Sequence, residues 1–302
     1  VNGATLYVTL EPCCTTGRTP PCTEAIINAG IRRVVVGAKD PNSNHAGNGF
    51  RILRRAGIEV IRDVLAAESE RLNAAFNHWI VHGTPLVTVK AAMTLDGKIA
   101  TASGESKWIT GPEARREGLR LRHEADAILV GVETVLADNP SLRPRGKRGG
   151  TPLRRVILDS KARTPLDAKV VSDKFAHLTT VIVTTAAPPR RVNRLAKQCL
   201  VTTAPVGLGG GHLGWVLGKF GGENVTSLLV EGGGAVNASF LEQGLTQRVA
   251  FFYAPKILGG ADARPAVAGL GAESLAAALQ LADVEWREVG RDLMLTARVV
   301  GD

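Results

Sequence analysis

Two cysteines near the start of the sequence could bind a metal ion. Cys13 and Cys22 follow an apolar run, residues 5–10, which predicts a buried β-strand. Thiolate sulfurs are soft, anionic ligands that suit Zn²⁺, and ligands on a turn and on the next helix can converge tetrahedrally. Eight residues separate the two cysteines, and this spacing alone leaves open a zinc site, a redox pair or two unrelated thiols.

A glycine-rich corner marks a second candidate site. The apolar run 228–230 leads into Glu231, three glycines at 232–234 and then a helical pattern. Glycines at such a corner let backbone amides approach phosphate oxygens, and a helix N-terminus adds positive potential. The run is not the Gly-x-Gly-x-x-Gly dinucleotide fingerprint, because Asn237 replaces the last glycine. The corner alone is therefore compatible with a phosphate site or with an ordinary turn.

Composition and charge restrict the class of protein. With 302 residues, 44% apolar but only 4% aromatic, the chain predicts an aliphatic core of the kind that α/β layering buries. Four cysteines in a chain of this length are not a disulfide framework, and we expect a reducing cytoplasm. No apolar run approaches membrane-spanning length and no signal peptide is present at the start. Since the sequence begins at Val1 without Met, an earlier targeting segment remains an open alternative.

The formal charge of +9 is compatible with nucleic acid or with small phosphorylated ligands. The arginine pairs are dispersed along the chain, and aromatic side chains for base stacking are few. We therefore predict a phosphorylated small molecule as the partner, with neither nucleic acid nor membrane; a homo-oligomer remains open.

The elements that position these residues form two successive βα series. In the first, we predict strands at 5–10, 33–37 and 58–60 and helices at 21–29, 48–56 and 66–81. Residues 83–85 are Gly-Thr-Pro, which predict the end of the preceding helix. We therefore place the domain boundary between 1–83 and 84–302. The second series has strands at 86–91, 127–130, 155–158, 180–183, 227–230, 248–253 and 293–299 and a helix at 111–124. Thr110 and Glu113 fit a capping box for that helix.

Several motifs, taken in order, identify a family. Segments 9–13, 17–22, 40–42, 46–49 and 56–58 resemble the deaminase half of the bifunctional riboflavin-biosynthesis deaminase/reductases. Segments 89–100, 103–111, 134–140 and 230–234 resemble the reductase half of the same family. The resemblance implies a truncated cytidine-deaminase-like α/β domain followed by a dihydrofolate-reductase-like α/β domain, which also explains the missing dinucleotide fingerprint.

For the deaminase half, the resemblance implies that Cys13 and Cys22 are zinc ligands. Base deaminases also need a His-x-Glu, whose histidine is the third ligand and whose glutamate moves protons. The sequence contains no His-x-Glu. We therefore expect a chain cut through the deaminase domain, with an incomplete zinc site and no deamination.

For the reductase half, the resemblance implies two sets of binding residues. The NADP(H)-contacting set is Ala92, Trp108, Thr134, Asp138, Ser160, Gly233, Gly234, Ala235, Val236, Asn237, Ala238 and Ser239. The substrate-contacting set is Ser106, Arg122, Leu142, Arg145 and Glu231.

Chemistry agrees with several of these assignments. Arg122 and Arg145 offer charged forks for a 5-phosphate, although each could equally be a surface charge. Ser160, with the basic residues that follow it, could hold the 2′-phosphate of NADP.

Lys90 is the candidate catalytic residue. It interrupts an apolar strand, so its ammonium needs a partner or a ligand. It could form a buried pair with Glu231, or it could orient the ribose and donate a hydrogen bond as hydride reaches C1′.

The implied reactions are the deamination of diaminohydroxyphosphoribosylaminopyrimidine and the NADPH-dependent reduction of 5-amino-6-(5-phosphoribosylamino)uracil to its ribityl product. Two alternatives from other classes are a nucleic-acid base deaminase with an accessory domain and a non-catalytic NADP-binding or assembly protein. The scarcity of aromatic residues argues against the first.

Overall fold

The computed structural model describes residues 1–17, 19–143, 153–205 and 212–301. It separates the chain into two compact units, Val1–Pro85 and Leu86–Asp302, called here the N-terminal and C-terminal units. Among the described residues, no helix combines the length and the apolar character needed to span a membrane.

The N-terminal unit is a parallel sheet with helical connections. Its strands are β1 (Thr5–Leu10), β2 (Arg33–Ala38) and β3 (Glu59–Ile61), in the order β1-β2-β3. Its helices are α1 (Cys22–Asn28), α2 (Asn48–Arg55), α3 (Ala66–Leu72) and α4 (Ala74–His82). The apolar residues of β2 and α2 are buried together, with Val34, Val36 and Leu53 fully inaccessible. This aliphatic core is what the alternating apolar runs predict.

The predicted helix 66–81 is two helices, which corrects that expectation. Asn73 lies between α3 and α4 and leaves helical geometry, with φ −94° and ψ 9°. Its side-chain amide donates to the Ser69 carbonyl at 2.8 Å. Asparagine competes in this way for backbone hydrogen bonds and so favours helix ends.

The C-terminal unit is built on a nine-stranded sheet, counted over the described residues. The chain enters it through β4 (Leu86–Thr94), β5 (Lys98–Ala100), α5 (Pro112–Glu124), β6 (Ala127–Gly131), α6 (Val132–Asp138), β7 (Arg154–Leu158), α7 (Lys169–Ser172) and β8 (Thr179–Val183). It continues through α8 (Pro189–Leu195), β9 (Leu200–Thr203), α9 (His212–Gly222), β10 (Ser227–Val230), α10 (Gly234–Glu242), β11 (Arg248–Ala254), β12 (Arg264–Pro265), β13 (Leu281–Val289) and β14 (Asp292–Val299).

The strand order brings the predicted site residues to one edge. The order is β13-β14-β11-β4-β10-β6-β7-β8-β9, and all pairs from β11 to β9 are parallel. Strands β14 and β13 are antiparallel additions, and β5 pairs with β12 in a separate ribbon. Because β4, β10, β6 and β7 are parallel neighbours, the residues after their carboxyl ends face a common space.

Apolar side chains cover both faces of this sheet. One cluster includes Phe220 and Phe240 of α9 and α10, and another includes Ile128, Ile157 and Leu195. The strands between them are buried on both faces, which explains their continuous apolar sequences.

Most of the predicted elements agree with the structure to within one residue at either end. Besides the split helix, the predicted strand 86–91 continues to Thr94. The capping box is wrong: Gly111 is the N-cap of α5, and its amide donates to Asp292 Oδ2 at 2.7 Å. The partner that satisfies this helix end is therefore the first residue of β14, not a residue of the local sequence.

Candidate active site

The carboxyl ends of β4, β6, β7 and β10 surround a cleft of about 880 Å³ in the C-terminal unit. Many of the residues predicted from the sequence line it. They are Lys90, Ala92, Ser106, Thr134, Asp138, Ser160, Glu231, Gly233, Gly234, Ala235 and Val236.

The middle of the cleft holds a buried carboxylate between two cations. Arg122 donates from Nε and Nη2 to the two oxygens of Glu231, both at 2.7 Å. Lys90 Nζ lies 3.8 Å from Glu231 Oε2 and 5.6 Å from the centre of the Phe252 ring. Burial acts to raise the pKa of Glu231, but the charges of Lys90 and Arg122 outweigh it and lower the pKa. Glu231 is therefore an ionised hydrogen-bond acceptor at neutral pH.

Arg122 is set back from the cleft. The Nε and Nη2 side of its guanidinium is bonded to Glu231, and Arg122 is not among the described residues that line the cleft. The hydrogen bond and charge of Glu231 raise the pKa of the guanidinium, against the lowering effect of its burial. The structure shows Arg122 orienting the carboxylate, with Lys90 on the cleft side.

The glycine corner forms one wall of the cleft at the start of α10. A Cβ on Gly232 would lie 2.5 Å from the Val236 Cβ, and one on Gly234 would lie 2.3 Å from the Pro265 carbonyl oxygen. Both glycines are thus required by close packing, whereas a Cβ on Gly233 would meet nothing within 4 Å. Gly233 is the N-cap, and no side chain caps α10. This wall therefore offers backbone amides to a phosphate.

The rest of the predicted run is directed away from the cleft lining. Asn237 is fully buried and donates from Nδ2 to the Ala266 carbonyl at 2.8 Å. Ala238 is also buried, and Ser239 donates to the Ala235 carbonyl at 2.9 Å. These three residues shape the helix and the strap 263–268 beside it.

Basic residues gather where β7 ends. Ser160, Lys161 and Arg163 all line the cleft there. Arg163 forms an ion pair with Glu133 at 2.6 Å. On α6, Asp138 pairs with Lys107 at 2.9 Å.

Trp108 and Leu142 are also absent from the described lining. Trp108 is 64% exposed, with the Arg115 guanidinium 4.5 Å from its ring centre. Trp108 is therefore not a core residue. Leu142 is 2% exposed and packs in a hydrophobic cluster. Arg145 lies outside the described residues.

Sequence reasoning missed one wall of the cleft. Arg264, Pro265 and Ala268 line it from the strap that contains β12. A two-residue strand has no hydrophobic period, so the sequence carries no signal that would place this segment against the glycine corner.

In the N-terminal unit, the two predicted zinc ligands are close together. The Cys22 amide hydrogen-bonds to Cys13 Sγ at 3.3 Å. The side-chain hydrogen bond with Cys13 and then burial raise the pKa of the Cys22 thiol. Cys14 lies beside His45, with 3.4 Å between Sγ and Nδ1. Within the described ranges, no three His, Cys, Asp or Glu side chains are grouped to hold a metal ion. The described residues therefore do not form a complete zinc site.

Buried Glu11 has a structural role next to these cysteines. Its carboxylate accepts hydrogen bonds from the amides of Gly47 at 2.9 Å, Phe50 at 3.3 Å and Asp40 at 3.3 Å. It thus ties the end of β1 to the loop before α2.

Two family models match the chain. The RibD C-terminal domain matches residues 85–295, and the cytidine and deoxycytidylate deaminase zinc-binding region matches residues 1–38. The chain is 42% identical over 306 residues to the riboflavin biosynthesis protein RibD of Actinobacillus pleuropneumoniae, covering 99% of this chain and 80% of that protein.

Two solved structures are also similar to this chain. Acinetobacter baumannii RibD superposes with a TM-score of 0.86 at 34% identity, over 99% of this chain and 82% of that one. The Thermotoga maritima diaminohydroxyphosphoribosylaminopyrimidine deaminase/5-amino-6-(5-phosphoribosylamino)uracil reductase gives 0.78 at 34% identity, over 99% and 80%. These matches confirm the predicted α/β fold class, with a cytidine-deaminase-like region followed by a RibD C-terminal domain.

Proposed function

This chain belongs to the RibD family of riboflavin biosynthesis proteins, with a reductase domain and a deaminase-like region, and we propose a specific reaction for its C-terminal unit. That unit uses NADPH to reduce the ribosyl group of 5-amino-6-(5-phosphoribosylamino)uracil to a ribityl chain. The observation that carries the proposal is the cleft itself, in which the Lys90–Glu231 pair lies between a glycine corner and a basic end.

The residues of the cleft fit NADPH. Gly233 leaves open space at the uncapped start of α10, which suits the pyrophosphate. Ser160, Lys161 and Arg163 provide a hydroxyl and two cations for the 2′-phosphate. When bound, NADPH supplies the hydride. The assignments of Ala92, Thr134 and Asp138 as cofactor contacts are part of this proposal.

Lys90 and Glu231 act on the ribose. Glu231, held ionised by its two cations, accepts hydrogen bonds from ribose hydroxyls and so fixes the sugar. Lys90 donates a hydrogen bond to a ribose oxygen as hydride reaches C1′. Arg122 acts indirectly, because its two hydrogen bonds hold the Glu231 carboxylate in one orientation. Most of the protein's contribution is alignment of the two reactants in the cleft.

The test is a spectrophotometric assay of NADPH oxidation with and without the phosphoribosylaminouracil. We expect consumption that depends on the substrate and a product two hydrogens heavier by mass spectrometry. Binding of NADPH without substrate-dependent oxidation would instead support a non-catalytic NADP-binding protein and would reject the reductase.

For the N-terminal unit, we propose that this 302-residue chain does not deaminate the pyrimidine. Cys13 and Cys22 match the zinc ligands of the family, but the sequence has no His-x-Glu and the described residues offer no third ligand beside them. No catalytic step is therefore assigned to zinc here.

The partner that we propose is a phosphoribosylated pyrimidine, with no role for nucleic acid or membrane. The cysteines among the described residues are free, and Cys199 is buried. A reducing compartment, the cytoplasm, is the setting that we propose from them.

A further inference from the structure

A second cavity in the C-terminal unit lies next to the turn that follows β7. Its volume is about 350 Å³, and it is lined by residues of the segment 162–167 and of α8. Ala162, Leu166 and Leu195 form its apolar part. None of its described lining residues belongs to the described lining of the cleft. This cavity, called here the α8 pocket, is therefore separate from the candidate active site.

Two arginines give the α8 pocket its positive charge. Arg191 and Arg194 both line it, and their spacing of three residues places them on one side of α8. Neither guanidinium forms an ion pair among the described residues, and outside those ranges the sequence has a single acidic residue, Asp302. Like charges at this spacing repel each other. An anion bound between the two guanidinium groups would relieve that repulsion.

The wall that faces these arginines is held by buried hydrogen bonds. Thr164 and Asp159 are each 1% exposed. The Thr164 amide and hydroxyl both donate to Asp159 Oδ2, at 2.6 Å and 2.8 Å. The Thr164 hydroxyl is thus already committed, and an anion in the pocket must be held by Arg191 and Arg194.

Asp167 indicates what else the ligand carries. Its side chain is exposed and lines the same pocket, and its carboxylate forms no ion pair with either arginine. A carboxylate accepts hydrogen bonds from hydroxyl groups. Two guanidinium forks suit a phosphate monoester, which carries nearly two negative charges at neutral pH. The α8 pocket therefore fits a small molecule with a phosphate at one end and hydroxyl groups beside it.

Arg191 links the α8 pocket to the basic end of the cleft. Its Nε donates to the Ala162 carbonyl at 2.6 Å, which leaves its two terminal nitrogens for an anion. Ala162 lies between Lys161 and Arg163, which both line the cleft. It has φ +52°, a conformation that is unfavourable for alanine, so the turn depends on contacts of this kind.

We propose that the α8 pocket binds a small phosphorylated polyol, and that this ligand strengthens NADPH binding through Arg191. The binding site stands on its own geometry, whereas the effect on NADPH rests on the proposed reductase function. A ligand that fixes the Arg191 side chain also fixes the Ala162 carbonyl, and with it the turn that carries Lys161 and Arg163. NADPH then binds with a smaller loss of conformational entropy, and by linkage it strengthens the polyol phosphate by the same factor.

The first experiment measures binding alone, by calorimetric titration with glycerol 3-phosphate in the absence of cofactor. We expect wild type to bind it and Arg194→Gln to bind it at least roughly tenfold more weakly, because one charge-assisted contact is lost. Arg190→Gln is the matched control, since Arg190 is exposed on the same helix and lies outside the described lining of both cavities. Its Kd should equal that of wild type.

Arg163→Gln shows whether the anion binds in the cleft instead. We expect it to leave the Kd of glycerol 3-phosphate unchanged, because Arg163 lines only the cleft. No binding by wild type, equal binding by Arg194→Gln, or a loss in Arg163→Gln as large as that in Arg194→Gln would overturn the site. Unchanged melting temperatures would show that the variants are folded.

Asp167→Ala tests the polyol part of the ligand. We expect wild type to bind glycerol 3-phosphate more tightly than inorganic phosphate, because Asp167 accepts hydrogen bonds from the hydroxyl groups. The substitution should remove this preference. A preference that survives in Asp167→Ala would reject the assignment of a polyol.

The last experiment tests the link to the cofactor. Saturating glycerol 3-phosphate should lower the Kd of NADPH by roughly fivefold in wild type, and should not change it in Arg191→Gln. NADH is the control ligand: it lacks the 2′-phosphate, so its Kd should not respond. An equal response of the two cofactors, or none of either, would overturn the link. If NADPH does not bind at all while glycerol 3-phosphate binding still depends on Arg194, the proposed reductase function fails and the α8 pocket is supported.

Discussion

Glu231 shows how a single buried carboxylate is kept charged. Its side chain is 10% exposed, a position where an isolated carboxylate would be protonated. Arg122 supplies two short hydrogen bonds and Lys90 supplies a charge at 3.8 Å. The structure thus contains the buried pair that the sequence offered as the alternative to a catalytic lysine. The two roles are compatible, because Lys90 also lines the cleft.

Replacing Lys90 tests its catalytic role. We expect Lys90→Ala to reduce kcat by roughly a hundredfold or more, the effect typical of losing a positioned hydrogen-bond donor to the reacting group. The Kd of NADPH should change little, since the glycine corner and the basic end remain. Steady-state kinetics and NADPH titration check this expectation, and a rate within a factor of a few of wild type would leave Lys90 as a structural partner only.

Replacing Arg122 tests the ion pair as a structural unit. Arg122→Gln leaves Glu231 with a weaker partner, and we expect the free energy of unfolding to fall by about 3 kcal/mol at pH 7. Urea denaturation measures it. The matched control is Arg120→Gln, whose exposed pairs with Glu117 and Glu124 should contribute less than about 1 kcal/mol. An equal effect of the two substitutions would contradict this account.

The same pair predicts a pH dependence. The folded pKa of Glu231 lies below its ordinary value of 4.5, so the ion pair stabilises the protein fully above that pH. This stability is lost as the pH falls through the lower, folded pKa. The loss with acid should be smaller in Arg122→Gln than in wild type.

At the scale of elements, the sequence predicts what depends on local pattern. The runs 127–130 and 227–230 are continuous aliphatic segments, and both are buried strands of the parallel sheet. The hydrogen bond at the N-terminal end of α5 comes from Asp292, a residue far along the chain. No rule based on the local sequence identifies this partner. Strand β13 was missed because most of its side chains are exposed and it has no apolar period.

The α5 cap gives a test of that distant contact. Asp292 is 1% exposed and accepts the Gly111 amide, so Asp292→Ala should lower the free energy of unfolding by about 1–2 kcal/mol. Because α5 carries Arg122, we also expect a lower reductase rate.

Thr110→Val is the matched control for this prediction. It removes the hydroxyl that the capping box would use while keeping the side-chain volume. We expect it to change the free energy of unfolding by less than about 0.5 kcal/mol. Thermal and urea unfolding of both variants measure the difference. A larger loss of stability in Thr110→Val than in Asp292→Ala would show that Thr110 caps the helix.

The strap 263–268 marks the limit of sequence-based site prediction. The motifs identify the glycine corner and Lys90, because those residues lie on regular strands and their ends. Arg264 instead reaches the cleft through a two-residue ribbon with β5, and its neighbours in sequence are glycine-rich turns. Asn237 belongs to the predicted run, yet its amide holds this strap and it does not line the cleft.

At the scale of the whole molecule, each unit buries a core of its own. The cluster around Leu53 and Val36 lies entirely in the N-terminal unit, and those around Phe240 and Ile128 lie entirely in the C-terminal unit. Hydrophobic burial is the main favourable contribution to folding. Neither core therefore needs residues from the other unit.

We expect a fragment of residues 86–302 to fold alone as a cooperative unit. Its Kd for NADPH and its reductase kcat/KM should lie within about threefold of the full chain, since the described cleft residues all belong to this unit. Circular dichroism melting and steady-state kinetics test both points. A fragment that is soluble but unfolded would show that the N-terminal unit contributes to the stability of the reductase.

The N-terminal unit leads to the opposite expectation, because the sequence contains no His-x-Glu. Hydrolytic deamination needs a metal-bound water and a carboxylate that carries protons to the leaving amine. The thiolates of Cys13 and Cys22 cannot carry protons to the leaving amine. Buried Glu11 already accepts hydrogen bonds from three backbone amides.

With Zn²⁺ added, we expect no ammonia release from the pyrimidine substrate above background by this 302-residue chain. A coupled glutamate dehydrogenase assay measures ammonia, and a full-length RibD relative serves as the positive control. Turnover at the rate of that control would mean that His45 or another residue of this unit replaces the missing His-x-Glu.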